Sequence, residues 1–172
     1  PLLLPLLDQP CPVERMSVVY ALGRNPCPSA VEKLVSLLET DDNAYVRRAT
    51  AWSLANYDNQ IVLEPLINAL KNDVAAVRLW SSSSLAEIGN VSLENAQLAA
   101  EQLLISLKID NESGVRSNCI WSLCRLYEKL NNTFQESFVD ECTKIALFDK
   151  EPSVMEEAKT ALDSMGMQGF YN

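Results

Sequence analysis

Histidine is absent from the 172-residue sequence. Its absence removes Ser-His-Asp and Cys-His nucleophile activation, histidine-ligated zinc, and the usual general base near neutral pH. Basic residues are outnumbered, 14 against 23 acidic ones, for a net charge of −9. Phosphate binding needs a clustered basic surface, so nucleic acid is not expected as a partner. No run approaches the roughly 18 apolar residues of a membrane span. No two of the 5 cysteines (Cys11, Cys27, Cys119, Cys124, Cys142) form a C-x-x-C pair. An odd, scattered set reads as reduced intracellular thiols, so no disulfide framework and no metal site are expected, and the cytoplasm is the expected compartment. The opening Pro1-Leu2-Leu3-Leu4-Pro5 has no Met and no charged leader. It reads as a fragment of a slightly longer chain that begins inside a helix, not as a signal peptide.

Apolar residues make up 48% of the chain, and 5 residues are glycine. That is ample material for a core. Five segments share one pattern: Val13–Gly23, Ala44–Ala55, Ala75–Gly89, Gly114–Leu126 and Pro152–Met165. Aligning Arg15, Arg47, Arg78, Arg116 and Met155 brings Leu22, Leu54, Leu85, Leu123 and Leu162 into line, each seven residues later, with periods of 32, 31, 38 and 39 residues. Before each of the last four lies a second amphipathic run: Ser29–Glu39, Val62–Lys71, Leu93–Leu107 and Phe134–Leu147. Leucines there recur at three- and four-residue steps, as in Leu34, Leu37, Leu38 and Leu63, Leu66, Leu70, which is the helical period. No run alternates as a strand would.

Asp41-Asp42-Asn43, Asn72-Asp73, Asp110-Asn111 and Asp149-Lys150 separate the paired runs. Asp and Asn suit a tight turn and the N-cap that follows it. Ser29 and Ser92 are candidate caps for the first helix of their pairs, Ser29 in a capping box with Glu32. Each unit is therefore helix, turn, helix, and stacking buries the face that one pair leaves open. The predicted fold is all-α, a right-handed α-α superhelix of about five repeats, with residues 1–172 as one domain. The closing GMQGFYN of Gly166–Asn172 carries no helical pattern and is expected to be loosely ordered.

The combination of Asp, Val-Arg, Trp and Leu in Asp42–Ala55 and Asp110–Cys124, with the YALGR of Tyr20–Arg24, resembles HEAT repeats. The short form resembles that of cyanobacterial phycobiliprotein lyases of the CpcE/CpcF type. The resemblance implies a structural ladder in which each arginine reaches to a turn aspartate, Arg47 to Asp42 and Arg78 to Asp73. It also implies that the second helices line a concave groove. Five residues after the aligned arginine stand Tyr20, Trp52, Ser83, Trp121 and Thr160, and the same helical stripe takes in residues four earlier and four later. The candidate groove residues are Tyr20, Arg24, Arg48, Trp52, Leu79, Trp121 and Arg125. Aromatic area and guanidinium groups suit a binding surface, whereas aromatics at this spacing equally suit packing between repeats. Trp80 reads as packing over Ser81–Ser84.

The carboxylate pairs Asp41-Asp42 and Glu156-Glu157 are better explained by capping and solvation than by catalysis. No catalytic residue is assigned. Two functions follow from the resemblance. The first is a non-enzymatic scaffold that docks a protein partner, either a phycobiliprotein or a second lyase-like subunit, in antenna assembly. The alternative is a bilin lyase subunit. No resident cofactor is expected, and a bilin would be a substrate.

Overall fold

A computed structural model describes residues 2–167 and 169. Among them are nine α-helices and no strand: α1 Pro12–Arg24, α2 Val31–Thr40, α3 Ala44–Leu54, α4 Leu63–Asn72, α5 Ala75–Gly89, α6 Leu93–Ile109, α7 Ser113–Leu126, α8 Asn132–Phe148 and α9 Pro152–Ser164. The last eight form four helix pairs. A 3-10 turn over Leu4–Asp8, with Leu7 buried, packs on α1 where the other units have a regular first helix. The sequence expectation of a helix at the start is corrected to this turn, which Pro5 opens. The terminal residues Pro1, Gln168 and Phe170–Asn172 lie outside the described residues, so most of the expected loose tail does too.

The leucine register explains the stacking. Leu22, Leu54, Leu85, Leu123 and Leu162 are between 0% and 3% exposed, and Leu34, Leu38, Leu63, Leu66 and Leu70 are buried opposite them. Burying one such side chain contributes about 1.5–3 kcal/mol. Second helices contact second helices along the series α1, α3, α5, α7, α9, and first helices contact first helices along α2, α4, α6, α8. The second-helix layer is the more intimately packed of the two. Small polar side chains permit that approach. The Ser84 hydroxyl donates to the Ala51 carbonyl at 2.8 Å, and Ser122 donates to the Ser82 carbonyl at 2.8 Å. These bonds tie α5 to α3 and α7 to α5. Gly23 serves the same end: a Cβ there would sit 2.5 Å from Trp52 Cζ3 and 3.1 Å from the Ser53 backbone.

The stretched periods come from α6 and α8, each of 17 residues against 10 for α2 and α4. Ser92 caps α6 by accepting from the Asn95 N–H, and Asn131 caps α8 in the same way from Phe134. Ser29 does not cap. It lies in a 3-10 turn, Pro28–Ala30, and its hydroxyl contacts the Cys27 sulfur instead. Trp80 is half-buried against the core. No helix among the described residues is long and apolar enough to cross a membrane.

Candidate functional site

The aligned arginines form a ladder, with a different partner from the one expected. Arg47 Nε and Nη2 donate to the two carboxylate oxygens of Asp73 at 2.8 Å each, in the turn of the next pair. Arg15 does the same with Asp41, Arg78 with Asp110 and Arg116 with Asp149. Each guanidinium also uses Nη1 to hold its own turn, through a main-chain carbonyl: Asp41 for Arg47, Asp73 for Arg78, Asp110 for Arg116. The expected pairs Arg47–Asp42 and Arg78–Asp73 are thus corrected. The fork spans two turns at once, because its five donors point in fixed directions along the stack. Asp41, Asp110 and Asp149 each also accept a main-chain N–H, from Asn43, Glu112 and Glu151. Burial alone would raise these three carboxyls. The hydrogen bonds from the arginines and from the main chain outweigh it and hold them below their ordinary 3.8. Met155 occupies the fifth ladder position, so α9 supplies no rung.

One turn further along each second helix lies the candidate stripe, and it divides into two clusters. In the first, Tyr20 of α1 and Trp52 of α3 are half-buried with ring centroids 5.4 Å apart at 58°. The Arg48 guanidinium lies 5.6 Å from the centre of the Tyr45 ring, and its Nη2 donates a long 3.4 Å bond to the Tyr20 hydroxyl. Arg48 Nε is buried with no hydrogen-bond partner among the described residues. Arg24 is exposed at the end of α1, on the same stripe. In the second cluster, Arg125 of α7 pairs with Glu87 of α5 at 2.9 Å and lies 5.0 Å over the Trp121 ring. Trp121 is 41% exposed beside a cavity of about 250 Å³ lined by Ser83, Ser117, Asn118 and Glu157. Asn118 uses its amide to reach the Leu79 carbonyl at 3.0 Å and the Ser83 hydroxyl at 2.6 Å. Leu79 packs against the core, as does Tyr20. The structure therefore places Trp52 and Tyr20 together and Trp121 with Arg125, with Ser83 and Asn118 between the clusters.

The HEAT-repeat profile matches residues 1–86 and again residues 31–124. The chain belongs to the HEAT-repeat family. No match is found among curated proteins. Among solved structures, this HEAT array is similar to the complex of CpcE and CpcF of phycocyanin lyase from Nostoc sp. PCC7120, with a TM-score of 0.69 and 22% identity over 94% of this chain and 96% of that one. It is also similar to a designed armadillo repeat protein in complex with the peptide (KR)4, with a TM-score of 0.65 and 19% identity over 98% of this chain and 88% of that one. At these identities the likeness is one of fold.

Sequence reasoning missed Tyr45 and Asn118, which shape the two clusters of the HEAT stripe, and it placed Glu87 on the stripe without pairing it to Arg125. Glu87 and Arg125 occupy the same register, nine residues after Arg78 and Arg116, so alignment of the repeats held the signal for that pair. Among the described residues no cluster of three or more His, Cys, Asp or Glu side chains could hold a metal ion. Cys119 and Cys142 are buried in the core, and burial pushes both thiols up.

Proposed function

We propose that this HEAT array is a binding scaffold that docks a protein partner along its second-helix face, which we take as the concave side of one repeat domain. Close packing in that layer supports the assignment, because the inner surface of a curved stack is the more compressed. The observation that carries the reading is the exposed Trp121 beside its cavity, with Arg125 held over the ring. Trp and Arg are the residue types in which binding energy concentrates, and Tyr20 with Trp52 continues the same stripe. The likeness to a two-subunit lyase and to a peptide-binding repeat protein supports a protein or peptide as the occupant.

The test is affinity capture from an extract of the source cells, with the immobilised wild type compared with Trp121→Ala. The reading expects one or more polypeptides held by the wild type and lost from the variant. A captured set indifferent to the variant, or none at all, would remove the basis for the assignment.

A second reading, a bilin lyase subunit working with a phycobiliprotein in the cyanobacterial cytoplasm, is supported by the fit of aromatic faces and free guanidinium groups to a flat tetrapyrrole with carboxylate side chains. Visible absorbance recorded on the same eluates distinguishes the two. A coloured complex favours the bilin and a colourless one the scaffold.

A further inference from the structure

The arginines of this chain fall into two groups. Arg15, Arg47, Arg78 and Arg116 are committed to ladder aspartates, and Arg125 to Glu87. Among the described residues, Arg24 and Arg48 have no carboxylate within salt-bridge distance. That is unexpected in a protein of net charge −9, where acidic groups are plentiful. Both unpaired arginines stand on the α1–α3 half of the groove, and Arg48 keeps a buried Nε without any acceptor among the described residues. The stripe positions around them are Met16, Tyr20, Trp52 and Asn56, and Tyr45 lies against Arg48; none of them is acidic. On the α5–α9 half the balance reverses: Glu87 is matched by Arg125, and Glu157 lines the cavity beside Trp121.

Resting on the reading of this face as a docking groove, we propose that its occupant is an acidic segment of a partner protein. Carboxylates of that segment sit on Arg48 and Arg24, and an apolar or aromatic side chain sits on the Tyr20–Trp52 pair. Charge complementarity carries the choice. A half-buried guanidinium that no carboxylate of its own chain neutralises gains a charge-assisted bond from a partner's carboxylate and repels a cation. The reversal of charge along the groove also fixes direction. The acidic end of the segment lies over α1 and α3, and its neutral or basic end lies over α7 and α9, where Glu157 waits. A basic peptide such as (KR)4, bound by the designed armadillo protein, would meet the wrong sign at Arg48.

The probes are two fluorescein-labelled synthetic peptides. One alternates glutamate with phenylalanine and leucine, and the other has lysine in place of every glutamate. Anisotropy is read at low salt with the wild type, Arg48→Glu and Lys150→Glu, the last lying on the edge formed by the turns between paired helices. The expected result is binding of the glutamate peptide at least about tenfold tighter than the lysine peptide, lost by about tenfold or more in Arg48→Glu and unchanged in Lys150→Glu. Equal or tighter binding of the lysine peptide, no binding of either, or equal losses in both variants would overturn the proposal. So would biliverdin binding, seen as a visible-band shift lost in Arg48→Glu, without binding of the glutamate peptide, since that assigns the arginines to a small dicarboxylate. The docking reading fails separately. A partner captured by the wild type and by Arg48→Glu but lost from Trp121→Ala leaves the groove in place and removes only its acidic occupant.

Discussion

Arg116 reaches 33 residues along the chain to Asp149, with Nε and Nη2 at 2.9 and 2.7 Å from its two oxygens and both side chains less than a tenth exposed. Removing one member leaves the other charge buried and unpaired, which costs more than the pair contributes. Arg116→Met is expected to lower stability by about 3 kcal/mol in urea unfolding, and Arg116→Met with Asp149→Leu to recover part of that loss. A single variant costing well under about 1 kcal/mol would mean that water already satisfies the rung.

Acid should loosen the ladder at several turns together. Asp41, Asp110 and Asp149 have folded values below their ordinary 3.8, so the unfolded chain binds protons first as pH falls. Their contribution is therefore present above about pH 4 and disappears as pH drops through the folded values. Urea midpoints measured from pH 6 to pH 2 should fall steeply only below about pH 4, and Asp110→Asn should flatten that slope. A midpoint that does not change across the range would contradict the depressed carboxyls.

Close approach at Gly23 makes a sharp prediction about the first aromatic cluster. Any Cβ there meets Trp52 and the α3 backbone. Gly23→Ala is expected to cost about 1–3 kcal/mol through overpacking and to shift tryptophan fluorescence, because the indole is the group that must move. Unchanged stability with an unchanged spectrum would mean that α1 and α3 separate freely.

Thiol labelling tests burial in the core. Cys11 is exposed, and the Cys27 thiol is pushed down by its contact with the Ser29 hydroxyl. Burial pushes Cys124 up to about 11 and raises Cys119 and Cys142 further. In native protein at pH 8 a disulfide reagent should label Cys11 and Cys27 quickly, and reach Cys119 and Cys142 only after denaturant is added. Rapid native labelling of Cys142 would show that α8 does not hold its place.

Much of the fold is legible because leucine spacing reports helical burial directly, and the repeat segment Ala75–Gly89 coincides with α5 at both ends. The stretched periods suggest longer joints, Asn90–Leu93 with an extended helix and Lys129–Thr133, whereas the structure places the added length in the helices α6 and α8, 17 residues each. Less legible were contacts whose partners meet only after stacking. Arg47 has aspartates both in its own turn and in the next one, and only the stack shows that Nε and Nη2 take Asp73 while Nη1 takes a carbonyl. Ser29 looked like a cap because Glu32 follows three residues later, yet Pro28 opens a 3-10 turn that displaces the helix start to Val31. In the stripe, the choice between groove and core was not available from spacing, and the structure gives a mixed answer. Tyr20 and Leu79 pack inward, Trp52 lies on Tyr20, and Trp121 opens to solvent.

A partner lying along the second-helix face would be seen by position-specific photo-crosslinking. Benzoylphenylalanine is placed at Trp121, on that face, and in a separate protein at Asn68, which is exposed on α4 in the opposite layer. After irradiation with the partner from the affinity capture, crosslinks should form from position 121 and not from position 68. Crosslinks from position 68 with none from position 121 would place the partner on the first helices and rule out docking on the second-helix face.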